Sequence, residues 1–507
     1  MQTAGLRRKG RVDMAIETMR DIIDYAAEHY GDQKAFCYKV RKEIVSKTYQ
    51  DLSKDSQAFS RLLAGLDMVG NHVAVIGPTS YEWVVSYFGT VNSGSVIVPV
   101  DAQLPAADVC ELLDRADVSV LIYDDMRSDV AEMAETACPK LVHKLSMQSD
   151  LPGLLEEYAG EYRVELDPEK LCAILFTSGT TGKSKGVMLN HKNLTDNATS
   201  VDMKIPAGTV SLTVLPIHHA YCFTMDILKA IYIGMEICIN DSIMHVSKNM
   251  KLFKPEIILL VPMVIESIYA KLRDSGGLLP KKMVAKAAFG GNLRTIVSGG
   301  AYLDPDYIER FKEYGITILQ GYGMTECSPV ISTNLEWESK ADSVGKLLPN
   351  CEAKIVDEEI WVRGSSVMMG YYHMPEETAA TLEDGWLKTG DLGYVDEDGF
   401  VFITGRKKNL IILANGENVS PEELENQLSR DRLVKEVVVR EHEKVIQAEI
   451  FPDYEYAKKK HVKDIRAALQ EIVDRYNQDM PVYKRIHDLV IRETEFDKTP
   501  SKKIKRY

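Results

Sequence analysis

Short apolar runs alternate with longer runs of helical length along the chain until about Gly345. Between His72 and Val100 the sequence reads HVAVIG, then YEWVVSYFGTVNSG, then SVIVPV, which are the lengths of a strand, a helix and a second strand. Strands that alternate with helices in this way predict parallel sheets with helices on both faces, which is an α/β fold. Further strand-like runs follow at 118–123, 257–262, 293–300 and 316–323.

The pattern changes beyond Gly345, where strand pairs with tight turns replace the alternation of strands and helices. Two stretches, EAKIVDEEIWVRGSSVMMGYY and GYVDEDGFVFITGR, alternate apolar and polar residues on either side of acidic or glycine turns. This alternation is typical of β-hairpins. The DEDG segment at 396–399 is too short for an EF-hand calcium loop, so we interpret it as a turn.

The end of the chain predicts a separate, small α/β unit. The run PEELENQLSR begins with proline, as helices often do, and VKEVVVRE and KVIQAEIF are strand-like. The glycine and three basic residues of GRKKN, at 405–409, indicate the junction, so we expect one domain over 1–407 and another over 408–507. A helix is predicted over 460–476, where one apolar stripe is formed by Val462, Ile465, Leu469, Ile472 and Tyr476.

The composition is that of a globular protein, with 45% hydrophobic and 27% charged residues among 507. This length is too great for a single core, which agrees with two or more domains. The formal net charge of -14 argues against general nucleic-acid binding, because that role requires a basic surface. We therefore expect no nucleic-acid partner.

The eight cysteines form no C-x-x-C pair, and several lie in apolar runs. Buried, reduced thiols explain this distribution better than disulfides or zinc ligands do. The first residues, MQTAGLRRKGRVDM, lack the apolar core of a secretory signal. No apolar run approaches the ~18 residues of a membrane-spanning helix. We expect a cytoplasmic protein without a transmembrane segment.

The stretch FTSGTTGKSKG, at 176–186, is the strongest candidate for a ligand-binding loop. It follows the strand-like LCAIL and holds three glycines, five hydroxyl residues and two lysines, so it can aim N–H groups and positive charge at an anion such as phosphate. It is not a Walker A loop, because the residue five places before Gly182 is Thr177 rather than glycine, and GVMLNH after it indicates a strand. By itself the loop could equally be a surface turn.

Two of the predicted parallel strands end in glycine-rich segments, SGG at 298–300 and QGYG at 320–323. In open α/β sheets, ligands bind beyond the carboxyl ends of the strands. We therefore expect these two segments and the loop of 176–186 to be neighbours around one ligand.

Five stretches of the chain, taken in order, resemble the adenylate-forming superfamily of acyl-CoA synthetases, peptide-synthetase adenylation domains and luciferases. They are FTSGTTGKSKG, LPIHHAY, GYGMTECSP, the long run GWLKTGDLGYVDEDGFVFITGRKKNLIILANGENVSPEELE, and KTPSKKIKRY. The resemblance extends from about Ile22 to Arg506, and GRKKN with NGENVSPEE is most similar to the fatty acyl-CoA synthetase branch. It implies a large N-terminal domain of two sheet-and-helix lobes and a barrel-like part, followed by a small, mobile α+β lid.

The resemblance implies an ATP- and Mg²⁺-dependent ligase that converts a carboxylic acid to acyl-AMP and then transfers the acyl group to coenzyme A. A carboxylate is a poor electrophile, and joining it to AMP supplies a good leaving group. Such an enzyme holds two anions together and spreads the charge of phosphoryl transfer over cations and dipoles. Adenylation for a carrier protein's phosphopantetheine is the alternative acceptor reaction, and a non-catalytic nucleotide-binding protein or a luciferase-like oxygenase are further alternatives.

Family motifs also assign roles to individual residues. The loop implied to hold the β- and γ-phosphates comprises Thr177, Ser178, Gly179, Thr180, Thr181, Gly182, Lys183 and Lys185. The ATP-binding strand ends are Gly299, Gly300, Ala301, Gln320, Gly321, Tyr322 and Gly323, among which Tyr322 is implied to stack on adenine.

Two groups of polar residues complete the implied site. Thr325 corresponds to the donor to the α-phosphate and Glu326 to the Mg²⁺ ligand, while Asp391 and Arg406 correspond to the pair at the ribose. His219 aligns with the family's histidine beside the acyl pocket, and His218 is interpreted as an ordinary packed side chain.

The final motif, KTPSKKIKRY, resembles T-x-S-G-K-I-x-R and places the catalytic lysine at Lys503. Lys502 stands where the family has glycine, so a register shifted by one residue, with Lys502 as the catalytic lysine, remains open. The resemblance further implies a hinge at Lys408 and a thiol channel lined near Gly416. Ser184 replaces the family's usual proline, which implies a looser loop with the same donors.

Overall fold

The computed structural model describes residues 15–177, 184–201, 203–275, 279–413, 418–443, 445–478, 480–498 and 504–506. These residues form two compact units. The first unit takes in Met1–Glu352 and Val362–Leu387, and the second Ala353–Trp361 and Lys388–Tyr507. The boundary at 407 and 408 expected from GRKKN stays a prediction.

Strands account for the central layers of both units. In chain order they are β1 (Lys34–Val40), β2 (Glu43–Thr48), β3 (His72–Ile76), β4 (Val96–Val100), β5 (Val118–Tyr123), β6 (His143–Ser146), β7 (Leu171–Thr177), β8 (Lys185–Asn190), β9 (Val210–Thr213), β10 (Glu236–Ile239), β11 (Ile257–Leu260), β12 (Thr295–Ser298), β13 (Thr317–Gly323), β14 (Val330–Thr333), β15 (Lys346–Leu347), β16 (Cys351–Val356), β17 (Glu359–Gly364), β18 (Gly370–Tyr371), β19 (Leu382–Glu383), β20 (Trp386–Val395), β21 (Val401–Arg406), β22 (Ile411–Ile412), β23 (Asn418–Val419), β24 (Val434–His442), β25 (Val445–Pro452) and β26 (Ile486–Ile491).

Helices connect these strands. They are α1 (Met19–Tyr30), α2 (Tyr49–Gly65), α3 (Tyr81–Asn92), α4 (Ala106–Arg115), α5 (Ser128–Ala137), α6 (Leu151–Glu157), α7 (His191–Thr199), α8 (Lys229–Ile233), α9 (Val246–Phe253), α10 (Pro262–Ser275), α11 (Lys281–Phe289), α12 (Pro305–Glu313), α13 (Pro375–Thr381), α14 (Pro421–Leu428), α15 (Tyr454–Lys459) and α16 (Ile465–Gln478).

Two large sheets form the core of the first unit. One has the order β15-β14-β13-β12-β11-β9-β10-β1-β2 and is parallel from β13 to β1. The other has the order β18-β8-β7-β4-β3-β5-β6 and is parallel from β7 to β6. The prediction of two lobes, each a mostly parallel sheet with helices, is confirmed.

Helix α3 shows why an apolar run of this length becomes a helix buried on all sides. Ser80 begins it by accepting a hydrogen bond from the backbone N–H of Trp83, as N-terminal serines do. Gly89 lets α2 approach, because a Cβ there would lie 2.5 Å from the Cβ of Phe59. Tyr87 stacks on Phe223, with ring centroids 3.8 Å apart, and this contact fixes the segment that follows the two histidines.

The second unit is built from hairpins and a small three-stranded sheet. Strands β20 and β21 pair antiparallel around the DEDG turn, as the alternation predicts. The turn between β16 and β17 has Asp357 and Glu358 at φ of 50° and 63°, the left-handed pair that two-residue hairpins favour. The small sheet has the order β24-β25-β26, and α14 begins with Pro421 at its first position.

One predicted helix begins later than expected. The helix predicted over 460–476 is α16 and begins at Ile465, because His461 takes a left-handed φ of 55° that ends the preceding turn. The carboxylate of Asp464 then accepts a hydrogen bond from the N–H of Ala467 at 2.9 Å and starts the new helix. Val462 lies outside the helix but still packs against the core of this unit.

All eight cysteines are buried free thiols. Within the parts of the chain that the structure describes, no helix combines the length and the apolar character needed to cross a membrane.

Candidate active site

The glycine-rich strand ends lie side by side at one edge of the nine-stranded sheet. Strands β11, β12 and β13 run parallel, with Leu260 opposite Ser298 and Ser298 opposite Gln320. The carboxyl ends of these strands therefore meet at the same edge, and the SGGA and GYGM segments follow directly from it. This is the position at which open α/β sheets bind ligands.

Two glycines at this edge are required by the backbone. A Cβ at Gly323 would lie 1.9 Å from the carbonyl oxygen of Pro329, so no larger residue fits. Gly300 has a φ of 82°, a conformation that side chains oppose. Ala301 next to it is exposed. The edge presents backbone rather than side chains, which suits the close approach of a flat ligand ring.

The segment that follows β13 carries the polar residues of GYGMTE. The amide of Gln320 is buried and donates to the carbonyl of Ala341 at 2.8 Å, so this side chain holds the strand end in place. Tyr322 is the next-to-last residue of β13 and is partly exposed. Thr325 and Glu326 lie in a single 3₁₀ turn, Thr325–Cys327, and both are partly exposed.

Tyr371 joins the two predicted phosphate-binding segments of the first unit. Its hydroxyl donates to Oε1 of Glu326 at 2.8 Å. The Nζ of Lys185 lies over its ring, 4.7 Å from the centroid. A cation over an aromatic face contributes about 1 kcal/mol, so the ring holds positive charge beside the carboxylate. Burial, followed by the charge of Glu326, raises the pKa of Tyr371, which keeps its hydroxyl a donor.

Sequence reasoning missed Tyr371, because GYY ended a stretch that read only as a hairpin. In the structure Tyr371 lies in β18 and pairs with Val187 of β8. Strand β8 follows the loop of 176–186, so this pairing brings Tyr371 next to that loop. The sequence feature that could have drawn attention to Tyr371 is the pair of adjacent tyrosines after a glycine, at 370–372. Nothing in the sequence pairs them with a glutamate 45 positions earlier.

The ends of the loop of 176–186 are well defined. Thr177 and Lys185 face each other as the last and first residues of β7 and β8, and the Thr177 hydroxyl donates to the Lys185 carbonyl at 3.5 Å. Several predicted site residues lie outside the described residues: Ser178, Gly179, Thr180, Thr181, Gly182, Lys183, Gly416 and Lys503, as does the alternative Lys502.

The two histidines of LPIHHAY differ in environment. His219 is exposed, whereas His218 is largely buried with its Nε2 at 3.7 Å from Oδ2 of Asp101. Burial, with the neighbouring His219, lowers the pKa of His218 well below its usual value, so this imidazole is neutral. The exposed His219 follows β9, one of the strands that run parallel to β11. His219 thus has solvent access that His218 lacks.

Asp391 and Arg406 are cross-strand neighbours in the second unit. They lie opposite each other in β20 and β21, and Nε of Arg406 is 2.6 Å from Oδ1 of Asp391. Asp391 is 3% exposed, and the backbone N–H of Asp391 donates to the Thr389 hydroxyl at 3.1 Å. The strand pairing brings together the two residues that the resemblance assigns to a ribose.

Lys408 lies in a 3₁₀ turn, Lys407–Asn409, that separates β21 from β22. Its neighbour Lys407 is tied to Glu359 by an ion pair of 2.8 Å. Partial burial, with Arg406 and Arg506 nearby, lowers the pKa of Lys408. A short turn between strands is a place where the chain can change direction, and the hinge at Lys408 stays a prediction.

The end of the chain is anchored within the second unit. Arg506 pairs with Glu425, donating from Nη1 to Oε1 at 2.7 Å, and the N–H of Val439 donates to the same oxygen at 2.6 Å. Ile504 forms a β-bridge with Lys498 and packs against Phe496. These contacts hold both flanks of the segment in which Lys503 was predicted.

Glu326 is suited to a magnesium ion. Mg²⁺ prefers carboxylate oxygens and keeps waters and substrate phosphates as its other ligands, so one protein carboxylate suffices. Among the described residues, no three His, Cys, Asp or Glu side chains come together as a metal-binding group. A metal held mainly by a nucleotide fits this arrangement, whereas one held by a protein cage does not.

Comparison with known proteins agrees with the geometry. A family model described as AMP-binding enzyme matches residues 23–372, and a model of the AMP-binding enzyme C-terminal domain matches 408–507. A long-chain-fatty-acid–CoA ligase of Mycobacterium bovis is 30% identical over 465 residues, which is 79% of this chain and 77% of that relative.

Two solved structures share the fold. The anthranilate CoA ligase AuaEII, in complex with anthranoyl-AMP, has a TM-score of 0.84 at 22% identity and covers 97% of this chain and 96% of its own. ATP-bound MatB from Rhodopseudomonas palustris has a TM-score of 0.82 at 23% identity and covers 97% of each chain. The predicted resemblance is confirmed: this chain belongs to the AMP-binding enzyme family, within the adenylate-forming superfamily.

Proposed function

We propose that this protein is an AMP-forming acyl-CoA synthetase. It uses ATP to activate a fatty acid as acyl-AMP, releases pyrophosphate, and transfers the acyl group to coenzyme A. The observation that supports this most directly is the chain of contacts from Lys185 through Tyr371 to Glu326, beside the glycine edge of β12 and β13. A cation, a phenol and a carboxylate in mutual contact support the binding of a nucleoside triphosphate and its metal ion at this edge.

The reaction has two steps. A carboxylate oxygen of the acid forms a bond to the α-phosphorus of ATP, while the bond from that phosphorus to the bridging oxygen breaks and pyrophosphate leaves. The thiolate of coenzyme A then forms a bond to the acyl carbon, and AMP leaves with the oxygen it gained. Both steps depend on placing anions close together, so positioned donors and cations carry most of the catalysis.

Residues of the first unit are proposed to hold the nucleotide's phosphates and base. The loop between Thr177 and Lys185 takes the β- and γ-phosphates, and Tyr322 stacks on adenine. Glu326 holds Mg²⁺, which supplies charge neutralisation for the phosphates when bound. Tyr371 orients Glu326 by occupying one of its two oxygens. His219 lies next to the acyl group.

Residues of the second unit are proposed to hold the ribose and to complete the chemistry. Asp391 accepts both ribose hydroxyls, and Arg406 orients the carboxylate through their ion pair. Lys503 bridges the carboxylate and the α-phosphate, Lys408 is the hinge, and the segment at Gly416 lines the thiol channel. Arg506, three positions after Lys503, is anchored on Glu425 of the same unit.

The choice of a fatty acid and of coenzyme A rests on the relatives. The Mycobacterium bovis relative is described as a long-chain-fatty-acid–CoA ligase, and one from Bacillus subtilis, 30% identical over 479 residues, carries the same description. The neighbours that contain ATP and an acyl-AMP support the nucleotide. Eight buried free thiols support a reducing compartment such as the cytoplasm.

The experiment is pyrophosphate exchange into ATP across a panel of carboxylic acids, followed by AMP release with and without coenzyme A. Exchange with one class of acid and AMP release stimulated by coenzyme A are expected. Glu326→Gln should lower exchange about 100-fold, the usual cost of losing one charge-stabilising group. Glu338→Gln, an exposed glutamate paired with Lys346, is the control and should exchange normally.

Two results would contradict the proposal. One is exchange by Glu326→Gln at the wild-type rate, which would remove the nucleotide from this edge of the sheet. The other is AMP release indifferent to coenzyme A but accelerated by a phosphopantetheine carrier protein, which would replace the acceptor.

A further inference from the structure

A small, mostly enclosed cavity lies near the glycine edge, between the nine-stranded sheet and the segment that follows the histidines. The segment is a π-helical turn, Cys222–Leu228, which leads directly into α8. The cavity holds about 20 Å³ and is lined by this turn, by Leu259 of β11 and by Val297 of β12. Such a volume accommodates one water-sized group.

Asp226 is one of two ionisable residues, with Lys229, in a wall that is otherwise apolar. It is 1% exposed, and neither of its carboxyl oxygens has a hydrogen-bond partner among the described residues. Buried polar groups almost always have partners, and a buried carboxyl without one costs several kcal/mol. Burial raises the pKa of Asp226 to about 8, so the group is a neutral acid at pH 7.

The backbone conformation at this position is itself unusual. π-Helical turns are rare and are frequently found at functional sites. Here the turn is locked from outside by the stacking of Phe223 on Tyr87. Asp226 is therefore held facing the cavity rather than free to rotate toward solvent.

The cavity lies close to the proposed adenylate site, because one strand contributes to both. Val297 lines it, and Gly299 follows two residues later in the same chain segment. Tyr221 packs against Gly299, where a Cβ would lie 2.9 Å from the ring, and its hydroxyl donates to the carbonyl of Val297 at 3.3 Å. An acyl group joined to AMP at the glycine edge would extend along this wall.

The lining can also make room. Three methionines contribute to it, Met203, Met225 and Met235, and methionine adapts to the shape of a ligand more readily than branched residues do. A substrate chain can therefore enter by displacing flexible side chains while β11 and β12 stay in place.

The chemistry of the wall selects among substituents on such a chain. A neutral carboxyl group can donate one hydrogen bond and accept another. A hydroxyl group can accept the first and donate the second. An ammonium group would have to be desolvated beside Lys229, which also lines the cavity and donates from Nζ to the carbonyl of Ala198 at 2.9 Å. An unsubstituted alkyl chain would leave Asp226 without a partner.

We propose that Asp226 is a specificity-determining residue, and that the preferred substrate is a fatty acid carrying a hydroxyl group on its chain. This inference rests on the proposed acyl-CoA synthetase activity and names its substrate class. The hydroxyl exchanges hydrogen bonds with the Asp226 carboxyl group, in a pocket that otherwise contacts methylene groups.

The test compares decanoic acid with a series of hydroxydecanoic acids in which the hydroxyl moves along the chain. For the wild-type protein, kcat/KM in pyrophosphate exchange should be about tenfold higher for one isomer than for decanoic acid, the value of one buried hydrogen-bonded pair. In Asp226→Leu this ratio should fall to about one, and in Asp226→Asn it should be intermediate.

Thr224→Val is the matched control, because Thr224 is fully buried on the same turn but does not line the cavity. It should keep the wild-type ratio. Calorimetric titration with the same acids gives a second readout that needs no turnover. The preferred isomer should bind wild-type protein about tenfold more tightly than Asp226→Leu.

Each other outcome overturns the inference. A wild-type protein that prefers no hydroxylated isomer, or an Asp226→Leu protein that keeps the preference, excludes Asp226 as the determinant while leaving the ligase activity intact. If no acid supports exchange, the proposed function fails by itself. Equal binding of the hydroxylated acids by wild-type protein and Asp226→Leu would then reject this inference separately.

Discussion

Each unit contains a buried acid, and the two acids differ in what surrounds them. Glu425 of the second unit accepts hydrogen bonds from the N–H of Val439 and from Arg506, and burial still raises its pKa to about 7. Asp226 of the first unit is more deeply buried, at 1% exposed against 9% for Glu425, and has no such partner among the described residues. Burial alone thus does not reveal a role, whereas the partners do. Glu425 holds the fold together, and Asp226 is set up for a ligand.

The largest expected effect concerns stability and pH. The pKa of Asp226 is about 8 in the folded protein and ~4 in the unfolded chain. Between these pH values the folded state therefore binds more protons than the unfolded state. Stability of the first unit should therefore fall as pH rises from 4 to 8, by on the order of 5 kcal/mol from this group. Asp226→Asn should remove that decline, raising Tm at pH 8 and leaving it nearly unchanged at pH 4.

Scanning calorimetry of both proteins across this pH range measures the effect. Parallel Tm profiles for wild-type protein and Asp226→Asn would show that the Asp226 carboxyl has a charged partner. Asp226 and Glu425 would then both be partnered acids, and the contrast between them would disappear.

The next effect concerns the partnered acid. Arg506→Met should destabilise the second unit by about 3 kcal/mol, because Glu425 would remain buried without its cation. Hydrogen exchange of β24 and β25 should rise accordingly. Lys505→Met removes a neighbouring but exposed cation and should leave exchange unchanged. Equal protection in both variants would mean that Glu425 needs no arginine.

Asp391 is a third buried acid, and it has both a partner and a proposed ligand. Asp391→Asn should lower pyrophosphate exchange about 100-fold by weakening the hold on the ribose, a loss of ~3 kcal/mol. Asp398→Asn, on the exposed turn between β20 and β21, is the control. A loss of stability without a loss of nucleotide affinity would place Asp391 with Glu425, as an acid that supports the fold.

The smallest effect separates the two contacts of Tyr371. Tyr371→Phe keeps the ring under Lys185 but removes the hydroxyl that holds Glu326, and exchange should fall about tenfold. Tyr372→Phe removes the neighbouring hydroxyl, which donates to Asp117 at 2.7 Å, and serves as the control. An equal loss in both variants would point to general disturbance of β18.

Much of the fold could be predicted because its signals are local. The runs HVAVIG and SVIVPV are strands β3 and β4, paired in parallel as their common apolar character requires. The same holds for the glycine edge, since carboxyl ends of parallel strands meet wherever the sheet has one direction. Local signals also mislead, as at α16, where the apolar stripe extended past the true start of the helix.

The rest depends on contacts between distant positions. Tyr371 meets Glu326 only through the antiparallel pairing of β18 with β8, and Arg506 meets Glu425 across 81 positions. Asp226 sits in CFTMDIL, where a single acid in an apolar run would ordinarily face water. Its burial follows from the π-helical turn and from Phe223 against Tyr87, and neither has a signature in one sequence.

Strand β12 and the residue after it contact two proposed ligands, the acid at Val297 in the strand and the nucleotide at Gly299 just beyond its end. Tyr221 bridges the two positions. If the two proposed ligands influence each other through this segment, the effect is reciprocal: the acid changes the affinity for ATP by the same factor by which ATP changes the affinity for the acid. A protein engineer who reshapes the cavity for a new acid should therefore measure the affinity for ATP together with that for the acid.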